Sequence, residues 1–306
     1  MAKKLPPRKK NAITGSQFME LMEERGITAT DPTYEKAVID QIMAGNVPSY
    51  MRPENWRKMT FKGKTKKGAD VSVTIRVCPD YVAIGSDEDY VRVPLSAVAL
   101  QRLSAMMDVA LPTIKVADAI DKKAQKIRLV TDTEIERKKG KKKDSAHSTH
   151  MIKPDFILWQ SKIADENFHK ANIPKFKTKG GGIEYTLVSG HKKDVLVYDS
   201  PDPTRLVQYR PPEQGLDYGA HPNTHIDYSL GGRLIDQEVE LSFKPSVQAV
   251  VHTRYEDIIS HPEYYKLLSD QRFDIKRCYT IPRKTVPRKK TVEAPLPKKK
   301  PRLAVR

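Results

Sequence analysis

The clearest periodicity in the chain lies between Lys58 and Val77, where polar and apolar residues alternate in two runs, KMTFKG and VSVTIRV. A period of two puts successive side chains on opposite faces of a strand. With the polar turn KTKKGAD between them, the two runs predict a β-hairpin. Short strands over Tyr81–Ile84 and Tyr90–Val93 are expected to extend the same sheet. Upstream the period lengthens to that of helices. Ser16 is placed to cap SQFMELMEERG, which ends at Gly26, and Asp31-Pro32 to start TYEKAVIDQIMAGN, with Ala37, Ile39, Ile42 and Met43 on one face. The segment VPSYMRPENW, with two prolines, reads as an ordered loop.

Beyond the hairpin, Pro94 opens a helix, LSAVALQRLSAMMDVAL, and VADAIDKKAQKI forms the next. Periodicity is then lost over residues 131–153. There ERKKGKKKD packs six basic residues between Arg137 and Lys143, and it reads as a surface loop joining two halves, 14–130 and 154–270. Helix is expected again over PDFILWQSKIADENFHKAN, followed by a turn-rich β region from Gly180 to Phe243. A last helical pair, VVHTRYEDIISHPEYYKLLSD, is split at His261-Pro262. Helices and strands cluster instead of alternating. The expected class is therefore α+β: a single large domain over 14–270, with mainly antiparallel sheet and flanking helices.

Charge changes the picture at the two ends. The net charge is +17, and residues 1–10 hold five basic residues and no acid. Residues 271–306 hold thirteen Lys/Arg against Asp274 and Glu293. Removing +5 and +11 leaves +1 on the 260 residues between. Residues 1–13 and 271–306 accordingly read as extended basic arms on an electrically balanced body. In the second arm, prolines separate Arg283, Lys284, Arg288, Lys289, Lys290, Lys298, Lys299, Lys300 and Arg302. Such spacing keeps a chain extended and points its charges at nucleic-acid phosphates or another polyanion. Tyr279 is the one aromatic residue from Asp274 to Arg306, so base stacking is not expected. PKKKPR also resembles a nuclear-import signal. Proline-rich basic arms on a neutral body equally suit a virion component that touches packaged genome or neighbouring subunits.

Other classes are disfavoured. No run of 18 apolar residues predicts a membrane-spanning helix. The basic start lacks the apolar segment of a secretory signal, which leaves a cytoplasmic or virion location as the expectation. Cys78 and Cys278 stand too far apart to suggest a disulfide framework or a cysteine zinc site.

Ionisable side chains concentrate in turns of the second half: His191, Lys193 and Asp194; His221; Asp227; and Arg233. Glycines beside the first two turns let the backbone bend sharply and leave an imidazole accessible. In an extended HIDYS run, His225, Asp227 and Ser229 share one face. Two readings stay open for the set: a catalytic cluster, or polar groups that hydrogen-bond one another to fix the turns. A divalent metal is the only cofactor such residues would suggest, and no HExxH spacing supports a zinc site. Arg233 would fork onto a carboxylate or phosphate, or pair with Asp227. The acid run Ser86-Asp87-Glu88-Asp89 is either a hard-cation site or a solvated turn.

Five segments in order, GNVPSYMR (45–52), PDYVAIGSDEDYVRVPLS (79–96), LPTIKVADAI (111–120), GHKKDV (190–195) and HxxxxxDYSxGxRL (221–234), resemble a family of bacterial proteins. Its members carry GNVPxFxR, PDYLAIGSDDDYF, LPTRKMVDDI, GHKKDVV and GHxxTWVDYSHGIRLV. The resemblance covers roughly residues 41–270 and brings no established activity. Its layout of His, Lys, Asp and Arg in turns is similar to a hydrolase or lyase site, with peptidoglycan or another cell-envelope polymer as the implied target. This chain departs from the pattern at His225, where the family has an aromatic residue, and at Leu230, where it has His. The functional expectation is therefore a structural or interaction protein whose basic arms bind a polyanion. The alternative is a hydrolase using the His/Asp/Lys set.

Overall fold

The computed structural model describes residues 2–27, 31–127, 175–177, 183–190, 194–196, 205–209, 216–222, 224, 226, 230–243 and 250–273. The class is α+β. Helix α1 (Gly15–Glu24) is capped by Thr14, whose hydroxyl accepts from the Gln17 amide while the Gln17 side chain accepts from the Thr14 amide. That reciprocal pair satisfies two of the orphan donors of a first turn. The cap is thus Thr14; the expected cap, Ser16, turns to Asp89 instead. Helix α2 (Pro32–Met43) starts as expected, with Asp31 accepting from Thr33 and proline in the first turn. The prolines of the next loop set up two short 3-10 turns, Ser49–Met51 and Pro53–Asn55.

The hairpin forms as its alternation predicts, β1 (Arg57–Lys64) against β2 (Asp70–Val77), with Arg57 opposite Val77 and Lys64 opposite Asp70. Val71, Val73, Ile75 and Val77 are buried, while Ser72, Thr74 and Arg76 face outward. Each such side chain taken from water contributes on the order of 1.5–3 kcal/mol, which fixes the register. Next come β3 (Ala83–Gly85) and β4 (Tyr90–Arg92), which among the described residues pair only with each other and do not extend the hairpin sheet. Helix α3 (Ala97–Met107) stops at Asp108, a left-handed residue, and Val109–Ala110 becomes strand β5 instead of the helix's last turn. Helix α4 (Ile114–Lys123) likewise gives way to β6 (Gln125–Ile127).

The described strands that follow are β7 (Lys175–Lys177), β8 (Ile183–Tyr185), β9 (Val188–Gly190), β10 (Asp194–Leu196), β11 (Arg205–Tyr209) and β12 (Leu216–Pro222). They continue with β13 (Leu230–Gly231), β14 (Ile235–Asp236), β15 (Glu238–Phe243) and β16 (Val250–Arg254). Two short helices close the described chain, α5 (Tyr255–Ser260) and α6 (Tyr265–Leu268). VVHTR, read as helical in sequence, is the edge strand β16. The six-stranded sheet runs β16-β15-β2-β14-β5, with β1 on the other side of β2. A second sheet runs β12-β11-β10-β13.

Two expectations about organisation are corrected. Residues 14–130 and 154–270 do not form separate halves: β2 and β5 from the first are interleaved with β14 and β15 from the second. One hydrophobic core includes Ala2, Tyr34, Ile75, Leu100, Leu187, Leu234, Ile259 and Phe273.

The described part of the segment 1–13 is not a free arm. Ala2 and Leu5 are buried in that core, and the Lys3 amide donates to the Met107 carbonyl at 2.7 Å. Arg52 donates to the carbonyls of Leu5 and Pro6, and Arg8 donates to the Asn46 side chain at 2.9 Å. Apolar residues three apart can enter the interior whatever charges lie between them, because the lysines point out. Residues 274–306, the loop 131–153 and the helix expected over 154–172 lie outside the described residues.

Candidate functional site

Two of the segments that carry the family resemblance, 45–52 and 79–96, meet around β3 and β4. Asp87 in the turn between those strands accepts from the Ser49 amide and hydroxyl, both at 2.7 Å, and so caps the first 3-10 turn. Asp89 accepts from the Ser16 amide and hydroxyl at 3.1 Å, at the start of α1. The Gly85 amide donates to the Asn46 carbonyl, and the Tyr50 hydroxyl to the Tyr81 carbonyl at 2.9 Å. The acid run 86–89, expected as a cation site or a solvated turn, thus supplies long-range caps through Asp87 and Asp89. Carboxylates suit such positions because the exposed amides of a helix start carry partial positive charge.

Beneath this clasp lies a buried ion pair. Asp80 and Arg92 meet in a fork, with Arg92 Nε donating to Asp80 Oδ1 at 3.0 Å and Nη2 to Oδ2. Asp80 Oδ1 also accepts from the Tyr81 amide at 2.6 Å. Burial works against the Arg92 charge, but the Asp80 carboxylate beside it holds the guanidinium pKa above its usual value. Burial also raises the pKa values of Tyr50, Tyr81 and Tyr90, and pushes the Cys78 thiol up to about 12. At neutral pH the thiol and the phenols are therefore neutral. Such an interior holds the fold in place and is poor ground for a nucleophile.

Arg233 is buried at 1% exposure. It donates to the carbonyls of Cys78 at 3.0 Å, Pro79 at 2.8 Å and Val188, and its guanidinium lies 4.6 Å from the centre of the Tyr81 ring. In this position Arg233 ties the PDY segment to β9. The foot of the GHKKDV turn is fixed from two further sides, by Val188 N–H on the Pro79 carbonyl and by the Ser189 hydroxyl on Asp121 of α4. Gly231 and Gly232 face Tyr81 and Leu100 so closely that a Cβ would lie 2.5 and 2.7 Å from those side chains. The GxR spacing serves this close approach of the backbone.

His191, Lys193 and Asp227 lie outside the described residues. Asp194 opens β10 and stands opposite Leu230 of β13 in a parallel pairing, with Val195 opposite Gly231. His221 falls elsewhere. It sits in β12 next to Pro222, which pairs with Arg205, whereas β10 meets the other end of β11 through Val195 and Tyr209. At strand geometry that is about 13 Å along β11, plus two strand spacings of about 4.8 Å each, between the Asp194 and His221 backbones. Arg233 in turn lies beyond β13, on the carbonyls of residues 78, 79 and 188. Among the described residues no group of three His, Cys, Asp or Glu side chains is gathered as a metal ion would require. Nor is any helix among them long and apolar enough to cross a membrane.

Sequence reasoning missed Asp80, Arg92 and Asp236, which are buried and paired in the described structure, and gave Asp87 and Asp89 no capping role. Their common signal was an acid or base next to buried aromatic and β-branched residues, as in PDYVA and DYVRV. No family model, no curated protein and no solved structure matches this chain.

Proposed function

We propose that this protein is a structural or interaction protein that binds a polyanion through its basic C-terminal sequence, on a body whose charged groups hold the fold. The observation that carries this reading is the contrast between the two kinds of charge. In the body, Asp80, Arg92, Arg233, Asp87, Asp89 and Asp236 are committed to internal partners. In residues 271–306, thirteen Lys/Arg face two acids, and prolines punctuate them. Arrays of that kind bind phosphates by releasing counterions, without need of a shaped pocket. A place in a virion or another nucleoprotein assembly fits such a division of labour. Removing residues 275–306 is expected to weaken binding to DNA or heparin and to flatten its salt dependence, by about 0.9 in slope for each phosphate that is no longer neutralised. Binding that does not change with salt, or with the truncation, overturns the reading.

A second reading, hydrolysis of peptidoglycan or another envelope polymer, is favoured by one observation: β10 pairs Asp194 and Val195 with Leu230 and Gly231 of β13. The family resemblance supports the same reading. Its test is turnover of purified peptidoglycan by the full chain and by His191→Ala and Asp227→Ala variants. Turnover abolished in both variants, with folding intact, would establish the enzyme and displace the structural reading.

A further inference from the structure

We propose that the N-terminal segment is a fixed phosphate-binding rail, a second nucleic-acid surface held rigidly on the body. The inference rests on the polyanion reading above and extends it to residues 3–10. Ala2 and Leu5 are buried and Arg8 is half-buried, while Lys3, Lys4, Lys9 and Lys10 are exposed. None of those four lysines is paired with an acid among the described residues. The backbone that carries them is pinned at Asp236, Met107 and Arg52, and the Arg8 side chain is held by Asn46. It is also wedged against Gly45, where a Cβ would lie 2.0 Å from the Pro6 carbonyl oxygen.

Anchoring changes what such charges do. A free lysine arm must be ordered as it binds, and that entropy is subtracted from its affinity; charges on a pinned backbone have already lost it. The partner's chemistry follows from what the rail shows to solvent. Ammonium groups and prolines are presented, while the apolar residues that would enter a lipid surface, Ala2 and Leu5, point inward. No aromatic residue occurs between Met1 and Lys10, so there is nothing to stack on a base. What remains is recognition of a phosphodiester backbone, without sequence readout.

The test uses the full chain and titrates duplex DNA, single-stranded RNA and poly-glutamate across about 50 to 200 mM salt, where counterion release is steep. The Lys3→Gln/Lys4→Gln/Lys9→Gln/Lys10→Gln variant is expected to lower the salt slope on nucleic acid by about 2 to 4. Lys66→Gln/Lys67→Gln, on the equally exposed turn of the β1–β2 hairpin, is expected to leave that slope unchanged. Leu5→Ser or the milder Leu5→Ala keeps every charge but loosens the anchor, and is expected to weaken affinity several-fold. Equal losses from the rail and hairpin variants would reduce the effect to net charge and overturn the proposal. So would poly-glutamate binding as tight as that of DNA, or Leu5 variants that bind like the parent. A parent chain that binds none of the three ligands overturns the polyanion reading and the rail together. A rail variant with the parental slope overturns the rail alone.

Discussion

The backbone N–H of Ala2 donates to Asp236 Oδ1 at 2.8 Å across 234 residues of sequence, and both residues are buried. The same carboxylate accepts from the Glu238 amide at 3.0 Å and from Arg76 through its other oxygen. One side chain on β14 thus ties the N-terminal segment, the central strand β2 and the turn into β15. Replacing it leaves buried donors without an acceptor and Arg76 without its counter-charge. Asp236→Ala is expected to cost about 3 kcal/mol, read as a shifted urea midpoint with unchanged slope. Faster amide exchange at Lys3 should accompany it. A cost below about 1 kcal/mol, the range of an exposed ion pair, would show that the N-terminal segment does not depend on this anchor.

Gly45 gives a sharper test of the same segment. Its φ of +79° already disfavours a side chain, and a Cβ would also run into the Pro6 carbonyl oxygen. Gly26 has a comparable φ of +60° with nothing within 4 Å of the same position. The backbone penalty, about 1–2 kcal/mol, is shared by both, so the difference between Gly45→Ala and Gly26→Ala isolates the clash with residue 6. Gly45→Ala is expected to cost at least about 1 kcal/mol more, the size of an ordinary steric misfit, and to expose residues 2–8 to limited proteolysis. Equal thermal shifts in the two variants would mean that the segment yields freely.

How far the sequence could be read depended on whether the signal was local. The β1–β2 hairpin was legible because alternation and burial share one period. The start of α2 was legible because Asp31 and Pro32 act within a single turn. The packing of residues 2–8 was hidden because three cations in seven residues dominate any reading of their composition, while only Ala2 and Leu5 decide where they sit. Strand β5 was hidden because Val109 and Ala110 continue an apolar helical stripe, and only the left-handed Asp108 breaks it. Asp87 and Asp89 cap elements some 38 and 73 residues away, a relation that no window on the chain displays. Among the site residues, the pairing of Asp194 with Leu230 joins strands that no local pattern links. The position of His221 depended on a register that its turn does not specify.

The buried thiol and phenols set the response to alkali. Cys78, held at about 12 by burial against its ordinary 9.0, is protonated in the fold throughout the range in which the unfolded chain would lose that proton. A pKa raised on folding stabilises fully below the unfolded value, and its contribution fades as pH rises from about 9 to about 12. Tyr34, Tyr50 and Tyr90 act in the same direction at higher pH. Stability is therefore expected to fall steadily above about pH 9, the ordinary thiol range. A Cys278→Ser variant isolates Cys78 for a thiol-reagent assay. Its Cys78 should react at about pH 8, just below that range, only after denaturant is added. Prompt labelling of the native protein would contradict the burial described for it.

Asp80 and Arg92 offer the most direct test of whether the centre of the resemblance is structural. Both are buried, and each satisfies the other's charge through two hydrogen bonds. Removing one partner strands a charge in a dry interior, so Asp80→Leu and Arg92→Met are each expected to cost about 3–5 kcal/mol. The double variant removes both charges and keeps apolar volume, so it should lie closer to the parent than either single change does. Urea unfolding of the four proteins closes a double-mutant cycle with a large favourable coupling. If instead each single variant were nearly as stable as the parent but failed in polyanion binding or peptidoglycan turnover, the pair would belong to a site and not to the frame. In that case the charges that hold β3 and β4 in place would have to be reassigned to ligand chemistry.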